Sequence, residues 1–82
     1  MMSIRVLFFA TLAEATGLRE AEVEASKFPD VASIFTRFAR EFPDLEARRS
    51  SLLCSVNEEF ARFDAQVHDG DEVAFFPPVS GG

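Results

Sequence analysis

The 82-residue chain has neither Trp nor Tyr, and it holds one His and one Cys. Any active site built from side chains therefore lacks a phenol or an indole and has a single imidazole and a single thiol to draw on. The lone Cys54 cannot close an internal disulfide, and so small a chain without a disulfide framework fits a reducing compartment. Positive charge is scarce as well: eight Lys plus Arg face fourteen Asp plus Glu, a formal net charge of -6. That balance opposes contact with a phosphate backbone, so no nucleic acid is expected as a ligand, and it favours basic partners. Long apolar runs are missing. Val6–Ala10 is far shorter than the ~20 residues needed to cross a bilayer, so no membrane partner is expected. The opening Met1-Met2-Ser3 has neither a basic leader nor a small-residue cleavage site, which gives a cytoplasmic expectation. The four glycines, Gly17, Gly70, Gly81 and Gly82, form neither a Gly-x-Gly-x-x-Gly turn nor a P-loop, so no nucleotide is expected to bind this chain by itself.

What the chain does have is bulk. Hydrophobic residues make up 48% and ten residues are Phe, enough for the core of one small domain. Ile4 to Phe9 reads as a strand, with Ile4, Val6 and Phe8 on one face and Arg5, Leu7 and Phe9 on the other. Thr11 to Gly17 suggests a short helical turn that stops at glycine. Glu20 to Phe28 alternates Glu20, Glu22 and Glu24 with Ala21, Val23 and Ala25, the pattern of a half-buried second hairpin strand. Asp30 is placed to cap a helix whose Val31, Ile34, Phe35, Phe38 and Phe42 follow an i, i+3, i+4, i+7 stripe, and Pro43 ends it. Asp44 to Ser51 is expected to be a loop. Leu52 to Asn57 and Phe60 to Phe63 are candidate strands, and Asp69-Gly70-Asp71 is a turn before a last strand, Glu72 to Phe76. A four- to five-stranded mixed sheet packed on one main helix buries these faces in two layers: an α+β, ubiquitin-like β-grasp roll over residues 1–76, followed by an extended, flexible tail over 77–82.

The side chains offer little chemistry. His68 lies in a polar run beside a turn and reads as a surface residue. Cys54, among Leu52, Leu53 and Val56, reads as a small buried apolar residue. One His and one Cys do not make a metal site, and none is expected. The glutamates of residues 20–24 read as a solvated strand face, and Glu58-Glu59 as part of a turn. The carboxyl end differs. Phe75-Phe76-Pro77-Pro78-Val79-Ser80-Gly81-Gly82 passes from strand to two prolines, then to small residues, then to two glycines. Pro77 and Pro78 cannot extend the sheet ladder and favour polyproline geometry, which projects the rest as a semi-rigid arm. Residues 77–82 reach about 20 Å at ~3.3 Å per residue. Gly81 and Gly82, without Cβ atoms, suit a narrow channel in another protein, with the Gly82 carboxylate as the reactive group.

On these residues the chain resembles the MoaD/ThiS family of sulfur carriers, in its molybdopterin branch. The resemblance rests on Ile4-Arg5-Val6-Leu7-Phe8-Phe9-Ala10, on Val56-Asn57 and Phe63-Asp64, and above all on the run from Asp69-Gly70-Asp71-Glu72-Val73-Ala74 through the Phe-Phe-Pro-Pro-Val-Ser-Gly-Gly end. The resemblance implies a β-grasp fold and the role of sulfur-carrier small subunit of molybdopterin synthase. It implies that a MoeB-type adenylating enzyme, using ATP and Mg that this chain does not itself bind, activates the Gly82 carboxylate. A cysteine desulfurase or rhodanese would supply the sulfur that turns it into a thiocarboxylate. Pro77, Pro78, Val79, Ser80 and Gly81 would then thread the active site of a MoaE-type large subunit, in a heterotetramer. There the sulfur would pass to cyclic pyranopterin monophosphate to form the dithiolene of molybdopterin. Strand alternation adds an expectation of its own: Leu7, Phe9 and Phe76, with the Phe60 region beside them, form an outward apolar patch that docks the partner. The rivals are a ubiquitin-like modifier or plain interaction module, whose Gly82 would join a target lysine or never be activated at all, and a sulfur carrier for thiamine or tRNA thiolation.

Overall fold

The structure is a computed structural model in which residues 2–78 are described. Its first strand, β1 (Ser3–Phe8), alternates as β-branched and aromatic residues on a half-buried pleat should, with Ile4, Val6 and Phe8 buried and Arg5 exposed. The chain turns through helix α1 (Thr11–Thr16), which stops where Gly17 takes a left-handed conformation at φ 72°. It then returns as β2 (Glu20–Glu24), antiparallel to β1 with Ile4 opposite Val23 and Leu7 opposite Glu20. The strand is shorter than the sequence pattern suggests, because Ala25–Lys27 winds into a single 3-10 turn.

Helix α2 (Val31–Glu41) starts in a reciprocal capping box: the Ser33 amide donates to Asp30 Oδ1 at 2.8 Å, and the Asp30 amide to Ser33 Oγ at 3.4 Å. Its stripe of Val31, Ile34, Phe35 and Phe38 is buried. The expectation of a loop over Asp44–Ser51 is corrected. Pro43 ends α2 but also opens a second helix, α3 (Pro43–Ala47), which a 3-10 turn over Arg49–Ser51 follows. Proline at the first helical position gives up an amide that has no intrahelical partner anyway, Asp44 and Glu46 suit the positive end of the helix dipole, and Leu45 anchors the turn with no exposed surface.

Strand β3 (Leu53–Val56) and β4 (Glu59–Ala61) form a hairpin around Asn57 and Glu58, both at positive φ as a two-residue hairpin turn requires. Phe63 lies beyond β4 and packs on Phe35 and Phe75, at centroid separations of 5.4 and 6.0 Å. The last strand, β5 (Glu72–Phe76), enters the middle of the sheet, parallel to β1 and antiparallel to β3, for a strand order β2-β1-β5-β3-β4. The helices cover one face. Phe8 meets Phe38 edge-on at 5.1 Å and Phe35 meets Phe75 at 5.5 Å, contacts worth about 0.5–1.5 kcal/mol each beyond the area they bury.

Candidate functional site

Because β1 and β5 are parallel neighbours, both finish at the same end of the sheet, and the Phe9 amide donates to the Phe75 carbonyl at 3.1 Å just as β5 gives way to Pro77 and Pro78. The expected tail therefore leaves beside the end of β1. Its further residues Val79, Ser80 and Gly81, and the expected reactive residue Gly82, lie outside the described residues.

The face of the sheet away from the helices has two halves. Toward β3 and β4 it is apolar. Phe60 is 78% exposed and rests its ring on Phe76 at 5.7 Å, Leu53 is 37% exposed and pairs across the ladder with Phe76, and Phe9 is 49% exposed beside the strand end. Leu7 and Phe76 are half-buried. Of the four residues expected to dock a partner, Leu7, Phe60 and Phe76 belong to outward strand positions and Phe9 follows at the end of β1. The Phe60 ring does not shut the face off from solvent. It adds a ring to it. Sequence reading missed Leu53, although the signal was present: with Cys54 turned to the core, its strand neighbour has to point outward.

Toward β2 the same face is charged. Arg5 Nε lies 2.7 Å from Glu20 and its Nη1 3.3 Å from Glu72, tying three adjacent strands together, while Glu22 and Glu24 extend the acidic row. The hydrogen bond that Arg5 donates to Glu20, and then the Glu20 charge, raise the Arg5 pKa above the ordinary arginine value, so this side chain is a permanent cation.

The remaining titratable groups fall elsewhere. Cys54 is 1% exposed, donates its thiol to the Ala61 carbonyl at 3.2 Å, and is pushed up in pKa by burial, the opposite of what a nucleophilic thiolate requires. His68 is exposed near the start of β5, the sheet end remote from the tail, and no hydrogen bond joins it to Cys54 among the described residues. Its amide donates to Asp71 Oδ2 at 2.8 Å, while Asn57 Nδ2 donates to Asp71 Oδ1 at 3.0 Å. The Asn57 hydrogen bond is the main reason the Asp71 carboxyl titrates below the usual aspartate range. These bonds fasten the turn before β5 to the β3–β4 hairpin, so their role is structural. Among the described residues no group of three His, Cys, Asp or Glu converges, and no helix is long and apolar enough to cross a membrane.

Against known proteins, the sequence profile of the ThiS family matches residues 6–82. The molybdopterin synthase sulfur carrier subunit of Escherichia coli (strain K12) is 43% identical over 81 residues, spanning 96% of this chain and 99% of that protein. The protein of the same name from Arabidopsis thaliana is 33% identical over 81 residues, spanning 99% of this chain and 84% of that one. Among solved structures, the small archaeal modifier protein 1 (SAMP1) of Haloferax volcanii superposes with a TM-score of 0.81 at 32% identity, covering 98% of this chain and 99% of the other. The five-stranded mixed sheet crossed by α2 is thus the α+β, ubiquitin-like β-grasp fold. With a profile that runs through nearly the whole sequence and a relative at 43% identity, the chain belongs to the ThiS family, beside the sulfur carrier subunits of molybdopterin synthase.

Proposed function

We propose that this chain is the sulfur-carrier small subunit of a molybdopterin synthase and that its reacting group is the carboxylate of Gly82. The observation that carries the reading is the placement of an apolar sheet face, Phe9, Leu53, Phe60 and Phe76, at the strand end where Pro77 and Pro78 begin the Val-Ser-Gly-Gly run. A carrier that lends its own chain end to partner enzymes needs a face for docking and a narrow terminus. It needs no side-chain nucleophile.

In this reading a carboxylate, inert toward nucleophiles at neutral pH, attacks the α-phosphorus of ATP on a MoeB-type enzyme and releases pyrophosphate. The acyl adenylate carries AMP as a good leaving group, and the terminal sulfur of a persulfide on a desulfurase or rhodanese displaces it to form an acyl disulfide. A thiol reductant then cleaves that disulfide, itself ending in a disulfide, to leave a thiocarboxylate on Gly82. ATP and Mg belong to that adenylating partner. The thiocarboxylate then enters the active site of a MoaE-type large subunit and gives its sulfur to cyclic pyranopterin monophosphate, on the way to the dithiolene. Docking on the sheet face makes the attack effectively intramolecular, which supplies rate through proximity. The acidic row beside the patch favours a basic surround on the partner and faster encounter at low salt.

A second reading is a ubiquitin-like modifier, favoured by the likeness to SAMP1, in which the activated Gly82 would be joined to a lysine amine of another protein. Mass spectrometry separates the two after incubation with ATP, Mg, an adenylating enzyme and a sulfur donor. Exchange of one carboxyl oxygen for sulfur at Gly82 is expected for the carrier, whereas an isopeptide-linked conjugate without that exchange refutes the carrier and supports the modifier.

A further inference from the structure

Immediately after Phe9 the backbone turns sharply, and the residue at the turn is not the one the geometry prefers. Ala10 sits at φ 52°, ψ -128°, and the Leu12 amide donates across it to the Phe9 carbonyl at 3.0 Å. These are the dihedrals of the second residue of a type II′ turn, a region glycine occupies freely and alanine only under strain. Burial does not explain the alanine. Ala10 is exposed, and it lines an open groove of about 480 Å3 together with Leu7, Phe9, Ala13, Glu14 and Arg19. The groove runs on from the Leu7 and Phe9 edge of the sheet face onto α1, with Glu14, Arg19 and Glu20 exposed along it.

We infer that the docking face continues past the sheet into this groove and that the Ala10 methyl is a contact for the large subunit, a specificity-determining position kept at the expense of stability. The inference rests on the reading of the chain as the synthase small subunit. The occupant is an apolar side chain of that large subunit, flanked by polar groups that meet Glu14 and Arg19. Three features select it: the groove is continuous with the apolar patch, its apolar lining is Leu7, Phe9, Ala10 and Ala13, and its charged lining is Arg19 with the carboxylates of Glu14 and Glu20. Phe9 is fixed for this role from both sides, its amide bonded to the Phe75 carbonyl and its carbonyl to the Leu12 amide, while its ring stands half in solvent.

A residue kept only for the fold cannot gain stability and lose binding in one step. Ala10→Gly removes the strain and the methyl together. Thermal unfolding should therefore rise, by ~3–8 °C for a domain of this size. Titration calorimetry against the purified large subunit should show binding weakened by ~3- to 10-fold. Phe9→Ala supplies a second arm: if the ring and the methyl touch the same partner side chain, Ala10→Gly should cost less affinity in that background than in the wild type. Wild-type affinity in Ala10→Gly overturns the inference and leaves the synthase reading standing, as does a loss of affinity that is the same with and without Phe9. A wild-type chain that does not bind the large subunit overturns both.

Discussion

Phe60 offers the sharpest separation between holding the fold together and holding a partner. A Phe side chain presents roughly 150–250 Å2, so a ring left 78% exposed keeps most of that area in water. Among the described residues its one aromatic contact is the tilted approach to Phe76 at 5.7 Å. Removing it from the free chain should cost about 0.5–1 kcal/mol, the lower part of the range for aromatic pairs. If docking covers about half of the exposed ring, the loss at ~25 cal/mol per Å2 is near 2 kcal/mol, or about 30-fold in Kd. Phe60→Ala should therefore leave the urea midpoint close to that of the wild type, with calorimetry showing a dissociation constant for the large subunit some 30-fold higher. Phe75→Ala is the control on the other face. That ring is wholly buried against Phe8, Phe35 and Phe63, and its loss should cost about 3–5 kcal/mol of stability. A Phe60→Ala chain that binds within twofold of wild type, or that loses more than ~2 kcal/mol in urea, refutes the assignment of this ring to docking.

Two further outcomes follow from the titratable groups. Asp71 has a folded pKa depressed by the Asn57 hydrogen bond, so it contributes stability above the unfolded aspartate value near 4 and loses that contribution as pH falls through the depressed value. Asp71→Asn should flatten the acid limb of stability below about pH 4, and parallel limbs in denaturant titrations of the two proteins would exclude the mechanism. Cys54, buried and raised in pKa, should react with a disulfide reagent at neutral pH at the rate of global unfolding; fast labelling of the native chain would show that the thiol is accessible after all.

The elements whose pattern is strongest were legible in the sequence because local rules and tertiary demands agree there. The Asp30 cap with the Val31–Phe38 stripe is one case, and the alternation of β1 is another. Around Pro43 the same residue carries two messages, a stop for α2 and a favoured start for α3, and the sequence pattern alone registers only the first. The strand over Glu20–Phe28 ran too long for a similar reason: the small residues Ala25 and Ser26 fit the alternation yet have little to bury, and the backbone winds into a 3-10 turn instead. Of the proposed docking face, Leu7, Phe9 and Phe76 are readable by period-two alternation. Leu53 was readable by the same alternation, since Cys54 beside it reads as buried, whereas Ala10 shows only through its dihedrals.

Poverty of reactive side chains and the Pro-Pro-Val-Ser-Gly-Gly end are properties of the sequence itself, since they depend on which groups exist and on backbone chemistry that needs no neighbours. The tertiary structure decided where those features sit relative to one another. Only the parallel pairing of the first strand with the last brings Phe9 beside the start of the tail, and only the hairpin of β3 and β4 lays Phe60 on Phe76. Pairings between residues nearly a whole chain apart are set by the packing of the sheet on α2, a global condition that no local window of residues contains.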